Sequence, residues 1–258
     1  MSLYQSSGNM KIAHLSDLHI CSAPDTIIYG VNPYEHLKRA VSVLKERHDI
    51  DLGIITGDIS NDGSKCSYEI ADEVLSGLSF PIFVLNGNHD NADVLLMEHY
   101  SKMEYAPSFT FDGVQFISLN TVAISEDGTN RSRGVLSENE FARLADSIAK
   151  GTKQIIVLMH HPATLTGSWM DRRILENRER FIDCVTSSGK VIAVLSGHNH
   201  CAKSVEIRGC LFSTAPSIST SFTASMPPFM EANQPGFSII TIGQRTKEII
   251  IVPILCSP

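Results

Sequence analysis

The 258-residue chain has no long hydrophobic run and no secretion signal. Its longest apolar runs, such as 155–159, are about strand length, far below the ~20 residues that span a bilayer. The N-terminus lacks a basic stretch followed by an apolar one, which a signal peptide needs. We therefore expect no membrane partner and a cytoplasmic protein. The polar, patternless stretch 1–9 is interpreted as a leader or expression remnant.

Paired-cysteine motifs and excess positive charge are also missing. The six cysteines form no CxxC pair and follow no regular spacing, so free thiols are expected rather than a disulfide framework. The net charge of -7 disfavours a nucleic-acid partner, because duplex-binding proteins more often carry a basic excess. A small anionic substrate stays possible, because a metal site brings its own positive charge. With 43% hydrophobic residues, 10–258 is predicted to form a single domain.

Apolar runs alternate with amphipathic stretches, as in βαβ units. Leu37, Ala40, Val41 and Leu44 have helical i, i+3, i+4, i+7 spacing, and Ser137 with Glu140 predicts a capping box. The segment 171–183 is expected to be mostly helical. Strands are predicted over 11–15, 52–56, 81–85, 109–111, 114–119, 155–159, 191–195, 205–207, 210–213, 237–242 and 248–254.

One aperiodic segment, 215–236, is rich in Ser, Thr, Pro and Met. Loops of about twenty residues inside a compact domain are usually functional or mobile. We expect this one to cover a site or to pack against a second subunit.

Seven potential metal ligands stand where predicted strands end, and carboxyl ends of strands meet at one edge of an open α/β sheet. Their donors are oxygen and imidazole nitrogen without thiolate, which suits two borderline divalent ions side by side. Paired ions favour phosphate-ester chemistry, because they can clamp both the attacking and the leaving oxygen. The seven are Asp17, His19, Asp58, Asn88, His160, His198 and His200.

Each motif has an ordinary structural alternative. A DxH pair at a strand end often only hydrogen-bonds its loop, and an isolated His160 would more often be a satisfied core residue. The sequence GNHD after an apolar run is more specific, and so is GHNH after another. The ordered combination of all five motifs is what favours a metal centre.

The motifs SDLH, GD, GNHD, LMHHP and GHNH together resemble the calcineurin-like metallophosphoesterase superfamily, above all its class III cyclic-nucleotide phosphodiesterase branch. The likeness runs over about 10–251 and includes GVLSENEFARL, TAPSISTSF and PGFSII. It implies a four-layer α/β/β/α sandwich with two mixed β-sheets. The sequences GDISND and GNHD depart from the phosphoprotein phosphatase pattern, which argues against that branch.

The resemblance also implies ligand sets and roles. Asp17, His19, Asp58 and His200 would hold the first ion, and Asp58, Asn88, His160 and His198 the second, with Asp58 bridging. His89 would assist the leaving alkoxide or stabilise phosphate charge, and Asp90 would orient His89. Manganese, iron, zinc and cobalt all accept this donor set.

The predicted reaction is single-step hydrolysis of a small phosphodiester by a metal-bridging hydroxide in line with the leaving oxygen. Neutral Asn88 leaves the loaded centre positive, which suits a phosphodiester monoanion. Substrate contacts are predicted for Asn88, His89, His161 and Asn199. The likeness and the 215–236 segment suggest a homodimer.

Two other readings stay open. In the first, the same metal centre belongs to a phosphomonoesterase or nucleotide hydrolase. In the second, the protein is a non-catalytic scaffold that uses the sandwich as an interaction surface. Scaffolds of this kind usually lose ligands, whereas all seven are present here with His89. Asn91, Trp169, Arg131 and Arg133 lie in or near loops that are candidates for the pocket walls.

Overall fold

The computed structural model describes residues 9–126, 128–129, 131–151, 154–222, 235–243 and 248–256. In chain order, its strands are β1 (Met10–Leu15), β2 (Leu52–Thr56), β3 (Ile82–Leu85), β4 (Met103–Tyr105), β5 (Ser108–Phe111), β6 (Val114–Ser118), β7 (Ile155–Leu158), β8 (Val191–Ser196), β9 (Lys203–Ile207), β10 (Cys210–Thr214), β11 (Gly236–Ile242) and β12 (Ile249–Leu255). The helices are α1 (Pro33–Lys45), α2 (Lys65–Leu75), α3 (Ala92–Met97), α4 (Glu138–Lys150) and α5 (Arg178–Thr186).

The strands form two mixed six-stranded sheets. The first has the order β12-β11-β1-β2-β3-β4, with β1 to β4 parallel and β11 antiparallel to β1. The second has the order β5-β6-β7-β8-β10-β9, with a parallel centre and antiparallel edges. The parallel strands of each sheet therefore deliver their carboxyl ends to one edge.

Three apolar clusters stack these elements into four layers. Residues such as Ile12, Ile54, Phe116 and Leu158 fill the space between the sheets and are almost fully buried. Helices α1, α2 and α3 pack on the outer face of the first sheet. Helices α4 and α5 pack on the outer face of the second. The predicted α/β/β/α sandwich is confirmed.

Local sequence explains where helices begin. In α1, the Asn32 side chain accepts a hydrogen bond from the backbone N–H of Glu35, and Pro33 occupies the first turn, where its missing N–H costs nothing. The predicted apolar face of this helix is buried. Ser137 caps α4 as predicted, but the Glu140 carboxylate accepts hydrogen bonds from the backbone of Asn120 and from Arg143. Glu140 thus ties the helix to the loop after β6.

Some boundaries differ from prediction. The segment predicted as mostly helical is broken, with a 3₁₀ helix over Trp169–Arg172 and then α5. Elements α3 and β4 were not predicted. The strands predicted over 109–111 and 114–119 are joined as a hairpin, because Phe111 pairs with Val114 and the turn residues Asp112 and Gly113 have φ of 46° and 80°. Two positive φ values are typical of the tight turn that joins antiparallel strands.

Parts of two predicted segments lie outside the described residues. The structure covers residue 9 of the predicted leader, and 215–222 and 235–236 of the predicted loop. Within the described residues, no helix combines the length and apolarity that crossing a membrane requires.

Candidate metal centre

The seven predicted ligands converge at the edge where parallel strands end. Five of them lie two or three residues beyond the ends of β1, β2, β3, β7 and β8, namely Asp17, Asp58, Asn88, His160 and His198. The other two, His19 and His200, each follow two residues after one of these five. Six are buried and Asn88 is half-buried. Backbone hydrogen bonds join the first two loops, from the Asp17 N–H to Gly57 O (3.0 Å) and from His19 N–H to Asp58 O (2.9 Å).

Unusual backbone conformations aim these side chains. The φ angle is 54° at Asp17, 49° at His19, 52° at Asp58, 68° at His198 and 51° at His200. Non-glycine residues rarely adopt positive φ, although Asp and His tolerate it better than most. Such conformations persist where surrounding contacts impose them, and they concentrate at functional sites. Five of the seven candidates therefore share a backbone signature that sequence spacing does not reveal.

Two glycines permit the close approach of the loops. A Cβ on Gly57 would lie 2.6 Å from His160 Nδ1, and its φ of 93° also favours glycine. A Cβ on Gly197 would lie 1.8 Å from Ser16 Oγ, which no rearrangement of Ser16 alone easily relieves. The loops of the two sheets meet so closely that side chains at these positions would separate the ligands.

Three donors surround one half of the centre. His200 Nε2 lies 3.2 Å from His19 Nε2 and 3.3 Å from Asp17 Oδ1. His19 Nε2 is 3.7 Å from Asp58 Oδ2. Ligand atoms of Asp17, His19 and His200 all lie within 4.8 Å of one another. This half can hold a metal ion.

A second group lies on the other side of Asp58. His160 Nε2 is 3.3 Å from Asp58 Oδ2, 3.2 Å from Asn88 Oδ1 and 3.2 Å from His198 Nδ1. Asp58 Oδ2 thus contacts an imidazole of each group. The position of this carboxylate is the one that the resemblance implies for a bridging ligand.

Outer hydrogen bonds fix the imidazole orientations. Carbonyl oxygens only accept, so His160 Nδ1 donates to Thr56 O (2.8 Å) and His200 Nδ1 donates to Thr220 O (2.6 Å). His19 Nδ1 lies 3.2 Å from Asn61 Oδ1. In all three residues the Nε2 atom is left to face the centre. Metal-binding histidines are commonly held by such contacts.

The charge of the site also fits cations. Asp17 and Asp58 are at most 2% exposed, and within the described residues their ion-pair partners are histidines, not Lys or Arg. Buried carboxylates are normally paired or bound to metal, because desolvating a lone charge is costly. Burial alone would raise the pKa of Asp58, but the charge and hydrogen bond of His160 hold it well below its usual value.

The same contact raises the pKa of His160. Burial lowers the pKa of this imidazole, but the charge of Asp58 outweighs burial and raises it to about 9. A divalent ion would take the place of the titrating proton. Burial instead lowers the pKa of His19 to about 4 and that of His198 well below its ordinary value. Neutral imidazoles are the form that binds metal.

Asp90 holds together two of the loops that carry candidate ligands. It is 1% exposed, and its carboxylate accepts hydrogen bonds from the backbone N–H groups of Ser60 (2.9 Å) and Gly87 (2.8 Å). Tyr68 also donates its hydroxyl to Asp90 Oδ1 (3.1 Å). These contacts join the loops after β2 and β3, which carry Asp58 and Asn88.

His89 stands at the entrance to the centre. Its side chain is exposed, its ring lies 4.8 Å from that of His19, and its backbone N–H donates to Asp58 Oδ1 (2.9 Å). It lines a cavity of about 330 Å³ together with His19, Asp58, Asn88, Trp169 and Phe222. The group predicted to handle a proton is thus within reach of both solvent and the metal ligands.

His161 and Asn199 are fully buried. The His161 Nδ1 lies 2.8 Å from Thr121 Oγ1, and the Asn199 amide donates to Thr166 Oγ1 (3.1 Å). The residues that line the 330 Å³ cavity do not include these two among the described part of the chain. Their predicted substrate contacts stay predictions.

Several supporting residues were not predicted. Asn61, Thr56 and Thr220 orient three imidazoles, and Tyr68 anchors Asp90. Asn61 is the N of GDISND, so its closeness to a motif was a usable signal. Thr56 and Thr220 act through backbone carbonyls, for which the residue type gives no signal.

The segment after β10 completes the edge. Residues 215–220 cross from the second sheet to the first, where the N–H of Ile218 donates to Ser16 O and that of Ser219 donates to Asp17 O, both at 3.1 Å. Ser217 Oγ also donates to Asp17 O (3.0 Å). This crossing segment brings the Thr220 carbonyl to His200 and holds the loop that carries Asp17.

Comparison with known proteins agrees with this geometry. The profile described as calcineurin-like phosphoesterase matches residues 10–202, well over half of the chain. The chain belongs to this family. Membership makes this phosphoesterase a hydrolase, and the buried His and Asp groups are the ones that can hold the divalent ions on which the family relies.

Curated relatives of the phosphoesterase match it over most of their length. A probable cyclic nucleotide phosphodiesterase from Vesicomyosocius okutanii is 29% identical, with 83% of this chain and 88% of the relative covered. A 3',5'-cyclic-nucleotide phosphodiesterase from Nostoc sp. is 27% identical, with 95% and 93% covered. A 3',5'-cyclic adenosine monophosphate phosphodiesterase from Vibrio vulnificus is 25% identical, with 95% and 90% covered.

Solved structures share the fold of the phosphoesterase. A dimetal phosphatase from Danio rerio superposes with a TM-score of 0.68 at 13% identity, covering 97% of this chain and all of that one. GAP50 from Plasmodium superposes with a TM-score of 0.62 at 15% identity, covering 98% and 90%. At these identities the likeness establishes the sandwich only.

Proposed function

We propose that this phosphoesterase hydrolyses small phosphodiesters of the cyclic-nucleotide or glycerophosphodiester type with two divalent metal ions. The position of Asp58 is the main support for this proposal, because its Oδ2 lies 3.3 Å from His160 Nε2 and 3.7 Å from His19 Nε2. One carboxylate between two groups of buried donors, beside an open cavity, suits a pair of ions that share a ligand.

The first ion is assigned to one set of residues, namely Asp17, His19, Asp58 and His200. The second ion is assigned to an overlapping set, namely Asp58, Asn88, His160 and His198. The donors are oxygen and nitrogen without sulfur, which manganese, iron, zinc and cobalt all accept. The metal that is most available in the cell would then occupy the site.

When bound, two divalent ions supply positive charge beside the phosphate and activate water as a nucleophile. Asp17 and Asp58 contribute only two negative charges, and neutral Asn88 adds none, so the loaded site attracts a phosphodiester monoanion. Asp90 keeps the loops of Asp58 and Asn88 at a fixed separation. Asn88 and His89 face the cavity and contact the phosphate.

His89 carries the proton transfer to the departing alcohol. Hydrolysis forms one P–O bond from water and breaks one P–O ester bond; one proton of the water ends on the alcohol, and the other is released. The His89 backbone is held to Asp58 while its ring is exposed at the cavity, so the ring can reach the leaving oxygen and exchange protons with solvent. A positioned acid of this kind contributes roughly 10²–10⁴-fold.

The names of the relatives support the substrate class. The Nostoc protein is called a 3',5'-cyclic-nucleotide phosphodiesterase and the Vibrio vulnificus protein a 3',5'-cyclic adenosine monophosphate phosphodiesterase. A cavity of about 330 Å³ has the size of a small-molecule site. We propose no nucleic-acid partner, and a homodimer stays a proposal that rests on the family likeness.

Neighbouring substitutions test the assignment. Asn88→Ala should weaken the second ion and reduce turnover sharply, whereas His89→Ala should keep both ions and reduce turnover roughly 10²–10⁴-fold. Metal content by mass spectrometry and kcat on a dialkyl phosphodiester such as a glycerophosphodiester, whose alkoxide leaving group needs a proton, separate the two effects. Equal metal loss in both variants would show that the roles are misassigned.

Substrate preference tests the reaction class. The metal-loaded enzyme should hydrolyse bis-p-nitrophenyl phosphate with a higher kcat/KM than p-nitrophenyl phosphate. The reverse order would favour a phosphomonoesterase on the same centre. No turnover of either ester with both ions bound would favour an interaction scaffold.

A further inference from the structure

The metal centre opens into a second cavity. This one has a volume of about 670 Å³ and shares Asn61, Asn88 and His89 with the first. Two predicted substrate-contacting residues, Asn88 and His89, therefore stand on the boundary between two spaces. A phosphate held there would have one space on each side.

The first cavity has aromatic walls. Trp169 and Phe222 have ring centroids 5.4 Å apart, and Phe222 stacks on His200 at 4.2 Å and 10°. Ile28 and Met170 add apolar surface. Arg173 is the one Lys or Arg among its described lining residues, and its guanidinium lies 5.7 Å from the Trp169 ring. These walls suit a planar aromatic group.

The second cavity has polar, acidic walls. Asn86 donates to Asn120 Oδ1 (3.3 Å), and Asp62 and Asp93 add negative charge. The described residues that line this cavity include no Lys or Arg. Such walls repel an anionic group and offer hydrogen bonds to hydroxyls.

Two asparagines that line the second cavity, Asn91 and Asn120, also make hydrogen bonds within the protein. Asn91 Oδ1 caps α3, and Asn120 Oδ1 accepts from Asn86 and from the backbone of Val122. Both sets of bonds use the oxygen. Among the described residues, the Nδ2 hydrogens of Asn91 and Asn120 have no acceptor, which leaves donors for the oxygens of a ligand.

We propose that the two cavities hold the two ester arms of a linear phosphodiester. The aromatic arm occupies the Trp169–Phe222 cavity, and an uncharged, hydroxyl-rich alcohol occupies the asparagine-lined cavity. The inference rests on the proposed function and narrows its substrate class. A cyclic nucleotide carries both ester oxygens on one ribose, so it fills one cavity and leaves the other unused.

Substrates that differ in one arm test this proposal. The probes are p-nitrophenyl phosphodiesters whose second arm is methyl, 2,3-dihydroxypropyl or carboxymethyl, compared with 3',5'-cyclic AMP. The dihydroxypropyl ester should have the highest kcat/KM and the carboxymethyl ester the lowest of the three. Trp169→Ala should lower kcat/KM for all three aryl esters by a similar factor, roughly 5–150-fold as for one lost base-stacking contact.

Variants of the second cavity should act mainly on the other arm. Asn120→Ala should lower kcat/KM more for the dihydroxypropyl ester than for the methyl ester, so the advantage of the dihydroxypropyl arm should shrink. Asp93→Lys should raise kcat/KM for the carboxymethyl ester, and Asp93→Asn should do so less. Asp146→Lys on α4 is the matched control, because Asp146 is exposed and pairs with Lys150 away from both cavities. Thermal melts confirm that each variant folds.

The outcomes separate two failures. Hydrolysis of cyclic AMP with a kcat/KM at or above that of the dihydroxypropyl ester would overturn the two-arm proposal while leaving a phosphodiesterase. Equal effects of Trp169→Ala and Asn120→Ala on every probe would overturn it as well. No hydrolysis of any diester by the metal-loaded enzyme would instead refute the proposed function.

Discussion

The two sheets contribute different chemistry to the centre. The first-sheet rim, which comprises Asp17, His19, Asp58 and Asn88, offers three oxygen donors and one nitrogen. The second-sheet rim, which comprises His160, His198 and His200, offers imidazole nitrogen only. All of the negative charge therefore comes from one sheet.

This difference favours a site that is built from both rims. The first-sheet rim alone resembles an oxygen site for a hard cation, and the second alone lacks the charge to hold an ion firmly. Packing the sheets face to face makes the combined set a borderline-metal site. We therefore expect the assembly of the sandwich to select the ions that bind, and we expect substitutions on each rim to have different effects.

Removing charge from the first-sheet rim should have the largest effect. Asp58→Asn keeps the shape of the side chain but removes the shared charge, so both ions should weaken and kcat should fall by ~10³-fold, equivalent to several kcal/mol of lost stabilisation. His198→Asn should weaken one ion and leave the other. Metal content and kcat measure both effects. Wild-type metal content in Asp58→Asn would contradict the shared ligand.

Separating the two rims should come next. Gly197→Ala places a methyl group 1.8 Å from Ser16 Oγ and 2.7 Å from Asp17 Oδ2, so the loops must move apart. Overpacking of this kind typically costs about 1–3 kcal/mol of folding stability, and metal content should fall with it. Chemical denaturation gives the stability. Adding Ser16→Ala should restore part of it, and a purely additive double variant would show that the clash is elsewhere.

A smaller effect distinguishes how the rims hold their histidines. Side-chain Asn61 orients His19, whereas backbone carbonyls orient His160 and His200. Asn61→Ala should weaken metal affinity roughly 10–100-fold with little loss of stability. Titration with a chelator as competitor measures it. The control Asn32→Ala removes the cap of α1 and should leave affinity unchanged; equal affinity in both variants would exclude a role for Asn61.

The smallest effect is expected at Asp72, an aspartate that lies on the same side of the molecule as the first sheet but away from the first-sheet rim. Asp72 on α2 accepts hydrogen bonds from Ser101 N and Oγ (2.9 and 2.6 Å), Lys102 N (2.8 Å) and Met103 N (3.0 Å). Burial alone would raise the pKa of Asp72, but these bonds outweigh burial and lower it. Its charge therefore stabilises the fold above the ordinary Asp pKa of about 3.9, and the stabilisation disappears as pH falls through the lower folded pKa.

Asp72→Asn should thus cost about 1–2 kcal/mol at pH 7. The difference from the unmodified protein should shrink below about pH 4. Denaturant titrations at pH 7, 5, 4 and 3 measure it, with metal content as the control. A pH-independent difference would mean that the charge of Asp72 contributes nothing.

The pattern of apolar runs and their ends predicted most strands and the ligand cluster, because both depend on local sequence, whereas the sandwich was implied by the family resemblance. Buried runs such as 52–56 and 155–159 are unambiguous, and each ends at a ligand. The short elements β4 and α3 were not predicted, because β4 has only three residues and α3 has only one buried residue, Leu95, so neither shows a clear hydrophobic pattern. His36 on α1 is likewise not predicted by local pattern to be buried, but it is 6% exposed and its Nδ1 lies 2.8 Å from Ser219 O.

The features of the site that could not be predicted from the sequence depend on contacts between distant segments of the chain. Trp169 was a candidate for the pocket wall, and it does line the cavity. Its partner Phe222 has no local signal, because their contact joins loops more than fifty residues apart. The positive φ values at Asp17 and His200 are equally invisible, since packing imposes them.

The crossing segment 215–220 has a practical consequence. The match to the family profile ends at residue 202, and a protein trimmed there would still contain all seven candidate ligands. It would lack the Thr220 carbonyl behind His200, the bonds to the Asp17 loop, and β11 alongside β1. The segment that the family profile matches is therefore shorter than the shortest piece expected to keep the candidate ligands in place, because 215–220 and β11 hold the edge on which those ligands lie.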